Sequence, residues 1–147
     1  MLRNINKLFD NLVFPLIKNN YVWFARITFF IIYFWFGILK IFDTSPANPL
    51  VAALQEKTLT FLTFEQFIVM FSIYEMVIGI LFLVPKLTKV AFILFILHMG
   101  MTMMPLVLLP EVSWQGFLIP TLEGQYMIKN LVLIALASSI LVNLNKK

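Results

Sequence analysis

Two ionisable residues in the middle of apolar runs set the chemical question. Glu75 stands in "FSIYEMVIGILFLV" and His98 in "AFILFILHMGMTMM". Glu75 lies ten residues before Pro85, and His98 lies nine after Lys89. At about 1.5 Å of helical rise per residue, each stands roughly 14–15 Å from the short turn between them. Two antiparallel helices joined by that turn would carry the carboxyl and the imidazole at one depth. Neither side chain is long enough to reach water from there. Glu75 is then either protonated or paired, because a lone carboxylate is costly in lipid. His98 and a lysine from the outer side are the natural partners. The chemistry open to such a pair is acceptance and relay of a proton. A single interhelical hydrogen bond that fixes register is the structural alternative.

Further polar residues approach the same region. Lys40 lies near the outer end of the first apolar run, and Lys129 enters the fourth about four residues from its outer end. Gln125 and Tyr126, at i−4 and i−3, are close to the face of Lys129, and Asn130 is beside it. If both lysines turn inward, Lys40, Glu75, His98 and Lys129 meet in one polar pocket that opens outward. If both turn out, they are anchors whose ammonium groups snorkel to the headgroups. The candidate ligand site is therefore Lys40, Glu75, His98, Gln125, Tyr126, Lys129 and Asn130, with Glu75 and His98 as its proton relay. Lysines would donate to a carbonyl or anionic group, while Phe36, Tyr74 and Tyr126 would contact a ring. A quinone or another small amphiphile suits these residue types. Arg26, about five residues into the first run, is expected to snorkel to the opposite face.

No metal site is expected. Cysteine is absent, which removes thiol chemistry and Cys-bound metals. Met99, Met101, Met103 and Met104 crowd His98, and thioether with imidazole suits Cu(I). A single histidine beside a flexible core filler fits packing better.

The elements that must hold these residues follow from composition. The chain has 147 residues, 61% hydrophobic and 12% charged, with a mean hydropathy of +0.94. A soluble core of this size cannot hide so much apolar surface, which excludes a soluble enzyme and a disordered chain. Four continuous runs are each long enough to span a bilayer as a helix: 21–42, 64–84, 90–109 and 126–144. They do not alternate, so a β-barrel is excluded. Before them, Leu2, Ile5, Leu8, Phe9, Leu12 and Val13 recur at helical spacing. Residues 1–18 therefore read as an amphipathic helix in the headgroup layer, ended or kinked by Pro15. The expected fold is an all-α membrane protein: a single four-transmembrane-helix bundle with an N-terminal amphipathic interfacial helix. Pro46 and Pro49 break the connection after the first span, and "LVAALQEKTLTFL" could lie on the membrane as a short helix. Pro105 should kink the third span.

The formal charge of +4 sits at the ends of apolar runs and forms no stripe for nucleic acid. Arg3, Lys7, Lys18, Lys86, Lys89, Lys146 and Lys147 share one side, against only Lys57 opposite. Both termini are thus expected in the cytoplasm.

"FWFGILKIF", "YEMVIGILFLV" and "TLEGQYMIKNLVLIALA" resemble the DoxX-like family of small bacterial membrane proteins. "GQYMIKN" and the His-bearing third span are most similar to its DUF417-like branch, which includes a protein linked to reactive chlorine resistance. The resemblance covers nearly the whole chain and implies a four-helix bundle in the bacterial inner membrane. It matches Arg26, Lys40 and Lys129 to the family's basic positions. It also implies a link to redox or quinone metabolism, since some members are subunits of thiosulfate:quinone oxidoreductase. The resulting expectation is an accessory or binding subunit without catalytic activity of its own. Its partners would be the lipid bilayer and a membrane redox protein or a second copy. A small proton-coupled transporter and a structural membrane partner are the alternatives.

Overall fold

The computed structural model describes residues 7–144. Leu2, Arg3, Ile5, Lys146 and Lys147 lie outside the described residues. Within them, four helices are long and apolar enough to cross a membrane: Phe9–Ile41, Phe64–Leu83, Pro85–Leu108 and Leu122–Leu144. An even number of crossings puts both ends of the described chain on one side, here the terminus side. The other is the loop side.

The first rod is α1 (Phe14–Ile41), preceded by one wide turn over Phe9–Val13 in which the Phe14 N–H reaches back to the Phe9 carbonyl. Proline has no N–H to donate, and its ring crowds the carbonyl one turn back. The wide turn precedes that ring, and the helix runs through Pro15 unbroken. The expected break between an interfacial helix over 1–18 and a span starting at Tyr21 is therefore absent from the described residues. The far end of α1 closes as a Schellman cap. Asp43 takes a positive φ of 53°, its N–H bonds to the Lys40 carbonyl, and the Thr44 N–H bonds to that of Leu39. Aspartate is among the few side chains that tolerate this conformation.

After the proline-broken loop, α2 (Asn48–Thr58) precedes α3 (Phe64–Leu83). Thr63 and Gln66 form a reciprocal capping box at the start of α3, satisfying two of its free N–H groups. Pro85 starts a single tight turn, Pro85–Leu87, and α4 (Thr88–Met103) returns antiparallel. The rod is interrupted at Met104 before α5 (Pro105–Leu108) and α6 (Pro110–Ser113). Then comes a hairpin that the sequence pattern does not announce. Strand β1 (Trp114–Gly116) pairs antiparallel with β2 (Ile119–Pro120). Its apolar tip, Phe117 and Leu118, is exposed. The Trp114 indole N–H donates to the Leu106 carbonyl at 2.9 Å, which ties the hairpin to α5. The last rod is α7 (Leu122–Leu144).

The four rods form a ring in which α1 meets α3, α3 meets α4, α4 meets α7 and α7 returns to α1. The α1–α3 seam is by far the most extensive. Two glycines permit it. A Cβ on Gly37 would stand 2.8 Å from the Ser72 carbonyl and 2.7 Å from Met76 Cγ, and one on Gly79 would stand 3.2 Å from Phe34 N. Close backbone approach of this kind replaces the hydrophobic drive that lipid does not supply.

Gly37→Val should lower the thermal unfolding midpoint in detergent, with a cost of about 1–3 kcal/mol for overpacking. Gly100 has open space around it, so Gly100→Ala should be neutral or mildly stabilising. Equal effects of the two changes would show that the seam does not hold the bundle.

Candidate functional site

The buried stripe of α1 runs Ala25, Arg26, Phe29, Tyr33, Gly37 and Lys40, so its polar members face α3 and α4 in successive layers. On α3, Phe71, Glu75, Ile78 and Phe82 fall inward. On α4, Ala91, Phe95 and His98 do so.

These stripes converge on a closed network. Lys40 Nζ donates to Glu75 Oε2 at 2.6 Å. His98 Nε2 stands 3.0 Å from Glu75 Oε1. The Tyr33 hydroxyl lies 3.3 Å from His98 Nδ1. Relative exposures are 4% for Tyr33, 6% for Lys40, 5% for Glu75 and 3% for His98. With the imidazole proton on Nε2, every group has a complement: ammonium to carboxylate, imidazole N–H to carboxylate, hydroxyl to Nδ1. A second proton on Nδ1 would turn the last bond round, with Tyr33 as acceptor. The set can thus take a proton while keeping its contacts, but the Tyr33 hydroxyl hydrogen then loses the one acceptor it has among the described residues.

Aromatic rings surround the imidazole. Phe71 stacks on it with centroids 5.1 Å apart, and Tyr33 meets it edge-on at 5.2 Å. Lys40 Nζ is 5.9 Å from the Phe71 centroid. Tyr74 flanks His98 at 5.9 Å and spends its hydroxyl on the Leu94 carbonyl. Phe36 contributes its backbone carbonyl to Lys40 at 3.5 Å, while its ring is exposed.

The terminus side of the network is sealed by three fully buried rings. Phe29 stacks on Phe82 at 4.2 Å, and Phe95 meets Phe29 edge-on at 5.2 Å. Below them Arg26 is buried, and its Nη1 donates to the Phe82 carbonyl at 2.7 Å. The expectation that Arg26 snorkels is corrected. Its guanidinium bonds the Phe82 carbonyl in the last turn of α3, where a cation is favoured by the helix dipole.

The expected four-helix pocket is not formed. The network comes from α1, α3 and α4 alone. Gln125, Tyr126 and Lys129 on α7 are exposed, and Asn130 is half-buried. Lys129 Nζ lies 4.9 Å over the Tyr126 ring. The physical cause is angular position. Met127 is buried on α7, and Lys129, two residues on, points about 200° away from it, while Lys40 falls on the buried stripe of α1. Lean along the helix then sets depth. Side chains lean toward their own helix N-terminus. On α1 that lean carries Lys40 toward the midplane and Glu75. On α7, which runs the other way, it carries Lys129 toward the loop side. Two surface grooves, about 580 Å³ beside Leu62, Glu65, Gln66, Val69 and Met70 and about 350 Å³ beside Phe34, Trp35 and Ile38, are lined by none of the network residues.

Tyr33 is the site residue that sequence reasoning missed. It stands seven residues before Lys40, two turns along the same face. That signal is submerged in the aromatic run "FFIIYFWF".

Fold and apolar surface together define an integral, multi-pass membrane protein with a buried ionic network. No protein-family model, no curated protein and no solved structure matches the chain.

Removing one member of a buried ion pair strands the other, at about 3–5 kcal/mol. Glu75→Leu should therefore be strongly destabilising. Lys40→Met combined with Glu75→Leu should cost clearly less than the sum of the two single changes. Additive losses in denaturant unfolding would show that the two groups are not energetically coupled.

Proposed function

We propose that this chain is an accessory or binding subunit of the bacterial inner membrane, with both termini cytoplasmic. It serves redox or quinone metabolism or oxidative-stress resistance, and Tyr33, His98, Glu75 and Lys40 act as its protonatable element. The observation that carries this reading is the sharing of Glu75 between Lys40 and His98 in a layer that lipid cannot solvate. Such a set stores or passes a proton. The resemblance to DoxX-like proteins supports the redox link.

A proton-coupled carrier is opposed by the Phe29–Phe82–Phe95 plug. Among the described residues no side-chain hydrogen bond links the network past these three rings to the terminus side, and a carrier needs access from both faces. Reconstituted in liposomes, the protein should give no proton conductance above that of empty vesicles. A flux abolished by Glu75→Gln would instead establish the carrier.

The binding reading is tested by titrating ubiquinone or menaquinone into the purified protein and following tryptophan fluorescence. Saturable quenching is expected. A quinone carbonyl accepts hydrogen bonds, so its donors would be Lys40 and His98, which Glu75 positions. Glu75→Gln should weaken binding about tenfold by releasing them. Equal affinity in both proteins would remove the network from quinone binding.

A further inference from the structure

We propose that the loop-side face of α7 holds the phosphate of an anionic phospholipid, with Gln125, Tyr126 and Lys129 as the headgroup contacts. This inference is independent of the buried network and of any redox role.

Lys129 is an exposed cation on a span whose other outward residues, such as Ile128, Leu131 and Val132, are apolar. Among the described residues no carboxylate lies within ion-pair distance of it. Glu123, six residues nearer the helix start, points about 120° away around the helix. A charge at this depth needs a counter-charge or a route to the headgroups. Its placement supplies the route. Lys129 Nζ stands 4.9 Å over the ring of Tyr126, one turn closer to the loop side, so the ammonium is already held toward the headgroup layer. Tyr126 is 61% exposed, and Gln125 is exposed beside it. An ammonium, a phenol and an amide therefore offer donors along one outward strip. That set complements a phosphate oxygen carrying net negative charge. It lies on the lipid-facing side, continuous with the apolar surface that receives acyl chains. Lys40 shows the contrast: in a similar position on α1 it finds Glu75, whereas Lys129 has an aromatic ring but no carboxylate partner among the described residues.

The test uses the full chain in nanodiscs of phosphatidylcholine containing a minor fraction of phosphatidylglycerol or cardiolipin, with retained lipid read by native mass spectrometry. The wild type should retain the anionic lipid over phosphatidylcholine. Lys129→Met should lower that preference about fivefold, the effect of one cation at an anionic surface, and Lys129→Arg should keep it. Because Lys129 is exposed, neither change disturbs the core. Equal retention by Lys129→Met, or equal retention of both lipid classes by the wild type, overturns the proposal. High-yield disulfide cross-linking of a Lys129→Cys variant to a second copy, insensitive to lipid charge, also overturns it and assigns the face to helix pairing.

Discussion

Lipid cannot solvate a charge, and this protein answers with one carboxylate shared between two donors. Glu75 is the hub: its two oxygens take Lys40 from α1 and His98 from α4, so a residue on α3 determines where both neighbours must stand. The remaining architecture can be read as the conditions for that meeting. Gly37 and Gly79 let the α1 and α3 backbones close, which brings the lysine within reach. The tight turn at Pro85 sets α4 antiparallel and level with α3, which brings the imidazole. A looser seam would leave the three polar groups without partners in hydrocarbon, where each would be costly.

The layers around the hub divide the bundle along its axis. Toward the termini, Arg26 closes the end of α3 and three phenylalanines fill the cross-section. Toward the loops, Phe71 covers His98, and the capped ends of α1 and α3 hold the short α2. The polar centre is thus enclosed in aromatic packing, with apolar bulk deepest on the terminus side. Tyr33 joins the two regions. Its ring packs on Phe29 and Phe95, and its hydroxyl faces the imidazole.

Much of the fold was written in the composition. Continuous apolar runs of bilayer length leave only helices, and prolines stand just past the ends of two of the four, at Pro85 and Pro110. The meeting of Glu75 with His98 follows from helical rise and the short turn at Pro85–Leu87. Two kinds of feature were not legible. One was which face of its helix each lysine takes: depth along the chain makes Lys40 and Lys129 look equivalent, and only packing puts Lys40 on the buried stripe of α1 and Lys129 on the exposed face of α7. The other was local geometry that no periodicity encodes. The wide turn before Pro15 lets a helix pass a residue that normally ends one, and the hairpin at Trp114–Pro120 has a bulky leucine at positive φ where glycine is the usual signal. Arg26 was misread because a long cation near a span end has two solutions, headgroup or helix terminus, and sequence does not rank them.

The fourth rod gives nothing to the polar centre and has the least buried span of the four. This has a bearing on biogenesis. As the chain leaves the ribosome, Lys40 emerges long before its counter-ion, and Glu75 before His98. All their neutralising contacts become available once the third rod is in place. The nascent protein can then shed its electrostatic burden while its final segment is still being made. The fourth rod then arrives as a greasy stave that completes the apolar core with Ala137 and Ile140.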